Sequence, residues 1–130
     1  MKDNFTIEII SPNTSVLKSS STEVTIPSYE GQMGILKDHI PLITFLRPGL
    51  IHIKDQNKEK IFFVEDGIVE FVDNILLILT STAKSLETLN QNLIKIMIRE
   101  SEEKINKKGI SDKENYLLSY KVDTLKQINK

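Results

Sequence analysis

The sequence predicts a β + α protein, an N-terminal antiparallel β-sandwich (a flattened barrel) followed by a C-terminal antiparallel two-helix hairpin. Three observations predict it. Before about residue 84, apolar residues alternate or form short runs between turn residues, and four of the five glycines lie there. After that point charged residues dominate, and the apolar ones recur at spacings of three, four and seven. Ser111-Asp112-Lys113-Glu114 then interrupts the helical part with the pattern of a new helix start. The expected units are 1–84 and 85–130.

Each element can be argued in order. Phe5, Ile7 and Ile9 alternate with Thr6 and Glu8, the period of a half-buried strand. Ser11-Pro12-Asn13 ends it, and the run Ser19-Ser20-Ser21-Thr22 reads as a loop between strands. Val24-Thr25-Ile26 resumes the alternation and stops at Pro27. Ile51-His52-Ile53 and Ile61-Phe62-Phe63-Val64 flank the polar turn Asp55-Gln56-Asn57, which predicts a hairpin. Ile68-Val69-Glu70-Phe71 and Ile75-Leu76-Leu77-Ile78-Leu79 flank Asp73-Asn74 and predict a second one. The unbroken run Ile75–Leu79 is expected to be covered on both faces. Leu93, Ile94, Met97, Ile98 and Ile105 form one stripe of an amphipathic helix, opposite Lys95, Arg99, Glu102 and Glu103. Gly109 is expected to close that helix in the left-handed conformation, with Lys107 and Lys108 suiting its negative end. Leu118, Val122 and Leu125 give the second helix its stripe. About twenty residues per helix are expected, joined by a link short enough to force an antiparallel pair.

Composition removes several function classes. The 17 basic and 18 acidic residues leave a formal charge of −1, so the balance points to neither nucleic acid nor an acidic membrane surface. With no cysteine there is no disulfide, thiolate metal site or cysteine nucleophile. His39 and His52 are the only histidines, and no third ligand accompanies them, so no metal site is expected. His52, alternating with Ile51 and Ile53, is expected to face outward from a strand. No serine lies in a nucleophile elbow, and the carboxylates are scattered over turns and helix faces. Glu100, Glu102 and Glu103 near Lys104, Lys107 and Lys108 read as a solvated face with ion pairs one turn apart. No catalytic residues are expected. Neither a secretory leader nor a membrane span is expected.

One stretch is more specific. Glu30 precedes Gly31-Gln32-Met33-Gly34-Ile35-Leu36-Lys37-Asp38-His39-Ile40-Pro41-Leu42-Ile43-Thr44, which continues as Phe45-Leu46-Arg47-Pro48-Gly49. Its two close glycines allow tight bends, and Pro48-Gly49 reads as a turn. On these grounds alone it is a rigid turn–strand–turn element. It also resembles the signature of the ATP synthase epsilon family: Gly-x-x-Gly-Ile, a short turn, His-x-Pro-Leu-Leu-Thr, then a basic residue, Pro and Gly. Asp66-Gly67-Ile68-Val69-Glu70 and Thr82-Ala83 match further family positions, and the resemblance extends from Phe5 to at least Ile105.

The resemblance implies a non-catalytic rotor subunit of an F-type ATP synthase, peripheral on the cytoplasmic face of a bacterial inner membrane and held there through the complex. It would sit in the central stalk and link the gamma subunit to the membrane c-ring during proton-driven ATP synthesis. By position, the c-ring contact candidates are Gly31, Gln32, Met33, Gly34, Lys37, Asp38 and His39. Gln32 stands where many relatives carry glutamate, which exchanges a charged contact for a neutral hydrogen bond. The resemblance also implies that the hairpin can meet the catalytic head and obstruct ATP hydrolysis, with Lys121, Lys126 and Lys130 as candidates for acidic surfaces. Some epsilon chains bind ATP through Leu/Ile-Asp-x-x-Arg-Ala. Here the aligned residues are Leu89-Asn90-Gln91-Asn92-Leu93-Ile94, without the acid or the arginine fork, so no nucleotide site and no cofactor are expected. Read without the resemblance, the same residues fit a free-standing β-sandwich adaptor that binds a protein through an exposed edge.

Overall fold

The computed structural model describes residues 3–128, which fall into two compact units that divide between Leu86 and Glu87. The first holds ten strands: β1 (Phe5–Ser11), β2 (Thr14–Ser21), β3 (Glu23–Ser28), β4 (Gly31–Leu36), β5 (Leu42–Leu46), β6 (Gly49–Asp55), β7 (Lys58–Val64), β8 (Gly67–Val72), β9 (Ile75–Leu79) and β10 (Ala83–Ser85). A short 3₁₀ turn, Leu86–Thr88, follows, and then come α1 (Gln91–Ile105) and α2 (Asp112–Gln127). Among the described residues no helix is long and apolar enough to cross a membrane.

The strands run in the order β10-β7-β6-β3-β5-β8-β9-β1-β2, with β4 paired to β3. This sheet folds over on itself as a sandwich. The fold line is β3, which pairs through Glu23–Thr25 with β6 and through Ser28 with Leu46 of β5. Pro27 has no N–H to give a ladder, and it sits where β3 leaves one partner for the other; its carbonyl accepts from Arg47 N at 3.0 Å. The pairing is antiparallel except between β1 and β9, which run parallel from Thr6↔Ile75 to Ile10↔Leu79. Alternation decides what goes inside. Phe5, Ile7 and Ile9, Val24 and Ile26, Ile51 and Ile53, Val69 and Phe71, and Leu76 and Ile78 all point into one core. Phe5 and Phe71 meet there edge to face, with centroids 5.6 Å apart.

Both sequence-predicted hairpins form, as β6–β7 and β8–β9. Two local expectations are corrected. Ser19–Ser21 is the end of β2 and not a loop; Ser21 is buried, and its hydroxyl donates to Phe5 O at 3.4 Å. The β9 run is covered on one face only. Leu76 and Ile78 are buried while Ile75 and Leu79 are exposed, because β9 lies in a sheet whose outer surface is uncovered within this unit.

In the second unit α1 has 15 residues and α2 has 16, fewer than the twenty expected. Asn106 caps α1, its N–H donating to Glu102 O at 3.2 Å. Gly109 therefore does not close the helix; it takes its positive φ of 86° within the link. Ser111 does cap α2. Its oxygen accepts from Glu114 N at 3.1 Å, and its hydroxyl donates to Glu114 Oε1 at 3.2 Å. Glu102 meets Lys126 at 3.5 Å, and Ile105 and Asn106 share a small cavity with Ser119 and Val122. The C-terminal halves of the two helices thus pack antiparallel, and the exposed first turn of α2, from Asp112 to Tyr116, carries no buried residue.

Candidate interaction surfaces

Strand β4 divides the residues singled out from the sequence between two faces. Ser28 donates to Gly31 O at 2.6 Å and closes the turn into β4, where Gly31 has φ 122°, a conformation that side chains rarely adopt. Met33 and Ile35 then face the core, while Gln32, Gly34 and Leu36 face solvent. Gln32 and Gly34 are thus presented together, and Met33 is not. A Cβ built on Gly34 would meet no atom within 4 Å, so its outer side is open.

Lys37, Asp38 and His39 form the turn after β4, which carries the exposed apolar residues Leu36 and Ile40 at its ends. His39 is anchored: its N–H donates to Leu36 O at 3.1 Å, Nδ1 lies 2.7 Å from Ile40 O, and its ring stands perpendicular to that of Phe71 with centroids 6.0 Å apart. Asp38 has φ 66° and turns its carboxylate to Asn74. Half of this turn is therefore occupied in holding its own shape.

A second surface was not singled out from the sequence. On β5, Ile43 is 70% exposed and Phe45 55%; on β8 and β9, Ile68, Ile75 and Leu79 are also exposed. The registers Phe45↔Ile68 and Ile68↔Leu79 set three of these side by side across three strands. Beside them opens a groove of about 590 Å³, lined by Ile10, Pro12, Tyr29, Phe45, Ile68 and Leu79. Its polar end is a closed corner. Asp66 Oδ1 accepts from Ser81 N at 2.9 Å, Asp66 Oδ2 accepts from Ser81 Oγ at 2.8 Å, and Thr80 Oγ1 donates to Asp66 O at 2.7 Å. The available signal was Leu42-Ile43-Thr44-Phe45-Leu46, where the middle inward position is the small polar Thr44 and both outward positions are large and apolar.

In the helical unit, Asn90 Oδ1 accepts from Leu93 N at 2.9 Å, so the residue aligned with the nucleotide-motif acid serves as the N-cap of α1. Lys126 pairs with Glu102, and Lys121 is half buried. Lys130 lies outside the described residues. His52 pairs with Glu59 at 3.6 Å on the outer side of the β6–β7 hairpin. Among the described residues no three His, Asp or Glu side chains come together as a metal cluster would need.

Residues 4–86 match the family described as ATP synthase, delta/epsilon chain, beta-sandwich domain. An ATP synthase epsilon chain of Pelagibacter ubique is 43% identical over 99% of this chain and 100% of its own length. Another, from Desulfosudis oleivorans, is 32% identical over 69% of this chain and 68% of its own. Among solved structures, a chain of the Euglena gracilis mitochondrial ATP synthase, in an OSCP/F1/c-ring assembly, superposes with a TM-score of 0.75. That match has 18% identity and covers 95% of this chain and 78% of the other. A chain from the Tetrahymena thermophila mitochondrial ATP synthase central stalk and c-ring gives 0.63 at 15% identity, with 95% and 92% covered.

Proposed function

We propose, from the premise that this chain belongs to the ATP synthase delta/epsilon family, that its sandwich is a two-sided coupling between gamma and the c-ring. The chain is a non-catalytic subunit of the ATP synthase complex, and its association with the membrane runs through that complex. The apolar face of β5, β8 and β9 docks on gamma, and the exposed side of β4 with the following turn docks on the polar loops of the c-ring. Proton-driven ring rotation is thereby passed to the shaft, and the ATP chemistry takes place in other subunits.

The observation that carries this reading is the row Phe45, Ile68 and Leu79 with Ile43 beside it, exposed together across neighbouring strands of one face. Burying one such side chain is worth roughly 1.5–3 kcal/mol. A contiguous patch of them, rimmed by polar residues such as Glu70 and Asp66, is the composition of a protein interface. The ring-facing side mixes small and polar groups, Gln32, Gly34 and the turn after β4, which suit polar loops, with Leu36 and Ile40 exposed at the ends of that turn. The hairpin supplies a second role. Opened, it frees Lys126 from Glu102 and offers it, with Lys121, to acidic surfaces of the catalytic head, where it obstructs hydrolysis.

The test is isolation of the full chain from detergent-solubilised membranes. Recovery with gamma, the catalytic subunits and the c-ring is the expected result. Recovery as a free monomer would overturn the assignment.

A further inference from the structure

Two residues with left-handed backbones face each other at one end of the sandwich. Asp38, with φ 66°, lies in the turn after β4, and Asn74, with φ 60°, is the second residue of the β8–β9 turn. Aspartate and asparagine are the non-glycine residues that tolerate this conformation best. Asp38 N–H donates to Asn74 Oδ1 at 2.7 Å, and Asn74 Nδ2 donates to Asp38 Oδ1 at 2.9 Å. Only one orientation of the Asn74 amide satisfies both bonds, because the backbone needs an acceptor where the carboxylate needs a donor. Asn74 is itself anchored, since its carbonyl accepts from Thr6 N of β1 at 3.1 Å. A chain of contacts therefore runs from β1 through Asn74 to the β4–β5 turn.

We infer that the Asp38–Asn74 clasp holds the β4–β5 turn in the shape that docks on the ring, so that Asn74 is a positioning residue for coupling and Asp38 acts through it instead of touching the ring. This rests on the reading of the β4 side as the ring-facing side. The clasp ties that side to the turn between β8 and β9, the strands that carry the apolar face, so the two docking surfaces are linked through it. Both bonds lie at the surface and compete with water. Their effect is on the population of one turn conformer, on the order of three- to tenfold, and not on whether the sandwich folds.

The experiment uses complete heads reassembled with the full chain and titrated onto membranes stripped of their own heads. Asn74→Asp sets two carboxylates against each other and keeps the left-handed backbone. It is expected to weaken docking about three- to tenfold, with affinity of the chain for the isolated head unchanged. The exchanged pair D38N/N74D puts the amide at position 38 and the carboxylate at position 74, restoring both hydrogen bonds. It is expected to return docking to within about twofold of the parent. Failure of the exchange to rescue would mean that the carboxylate at position 38 is itself read by the ring, and would overturn the clasp. Equal losses toward head and ring would reduce the pair to general stability and overturn it too. Gly34→Arg fills the open side of β4 and separates the two levels. If it leaves docking intact, the ring-facing assignment falls and takes the clasp with it; if it blocks docking while Asn74→Asp has no effect, the clasp alone is overturned.

Discussion

Gly49 lies flat against the ring of Pro27, so close that a Cβ on the glycine would stand 2.5 Å from the proline Cβ and 2.8 Å from its Cγ. Both residues are buried at the fold line, where β3 passes from β6 to β5. The proline ring is part of its own backbone and cannot swing away. Gly49→Ala is therefore expected to destabilise the sandwich by about 1–3 kcal/mol, lowering Tm by roughly 4–8 °C for each kcal/mol in a unit of this size. Thermal unfolding followed by far-UV circular dichroism checks it, and an unchanged Tm would show that the fold line can shift to make room.

Asp66 closes the end of the groove by accepting from Ser81 N, Ser81 Oγ and, at 3.3 Å, Thr80 Oγ1. Thr80 is buried, and its hydroxyl keeps the Asp66 and Thr82 carbonyls as alternative acceptors, whereas Ser81 N has Asp66 as its side-chain partner. Asp66→Ala should cost about 1–3 kcal/mol, and Asp66→Asn less, since an amide oxygen can still accept from Ser81 N. Urea titration of both variants tests the order; equal losses would mean that the carboxylate's charge, and not its role as acceptor, matters.

How much of this was legible in the sequence depends on which physical signal carried it. Alternation at Phe5–Ile9 and at Ile51–Ile53 predicts both strand and inward face, because a period of two leaves no choice once one face is buried. The cap at Ser111 is local chemistry and reads directly. Gly49 was read as half of a turn, yet its reason for being glycine is Pro27, twenty-two positions earlier and brought near only by the fold. Asp38 and Asn74 likewise look like ordinary turn residues until the sandwich closes, and their separation of 36 positions leaves no periodic trace. The apolar face was obscured for a different reason. A run such as Ile75–Leu79 has the same composition whether its second face meets the protein or a partner, so alternation cannot tell a buried face from a docking face.

The apolar face yields a separation of stability from assembly. Ile43 and Phe45 are both more than half exposed in the isolated chain. Ile43→Ser and Phe45→Ser should each move folding stability by no more than about 0.5 kcal/mol. Binding of the chain to gamma-containing heads should fall about tenfold or more for Phe45→Ser, the aromatic member beside the groove. Surface plasmon resonance against purified heads, paired with thermal melts, measures both quantities. Wild-type affinity for both variants would remove β5 from the gamma interface.

The hairpin gives a prediction in which two changes act with opposite signs. Glu102 holds Lys126 across the hairpin at 3.5 Å, and both side chains are about half exposed, so the pair contributes no more than about 1 kcal/mol to the folded hairpin. If opening the hairpin applies a brake, Glu102→Gln shifts the balance toward the open state and should lower ATP hydrolysis by the assembled complex, by a factor of up to about five. Truncation after Gly109 deletes α2 and Lys126 with it, and should raise hydrolysis. The assay is steady-state hydrolysis in membranes carrying each variant. A rise on truncation with no fall for Glu102→Gln would leave the brake but remove the ion pair as its latch. No change in either would show that the two helices do not restrain rotation, and their role would then lie in assembly of the stalk.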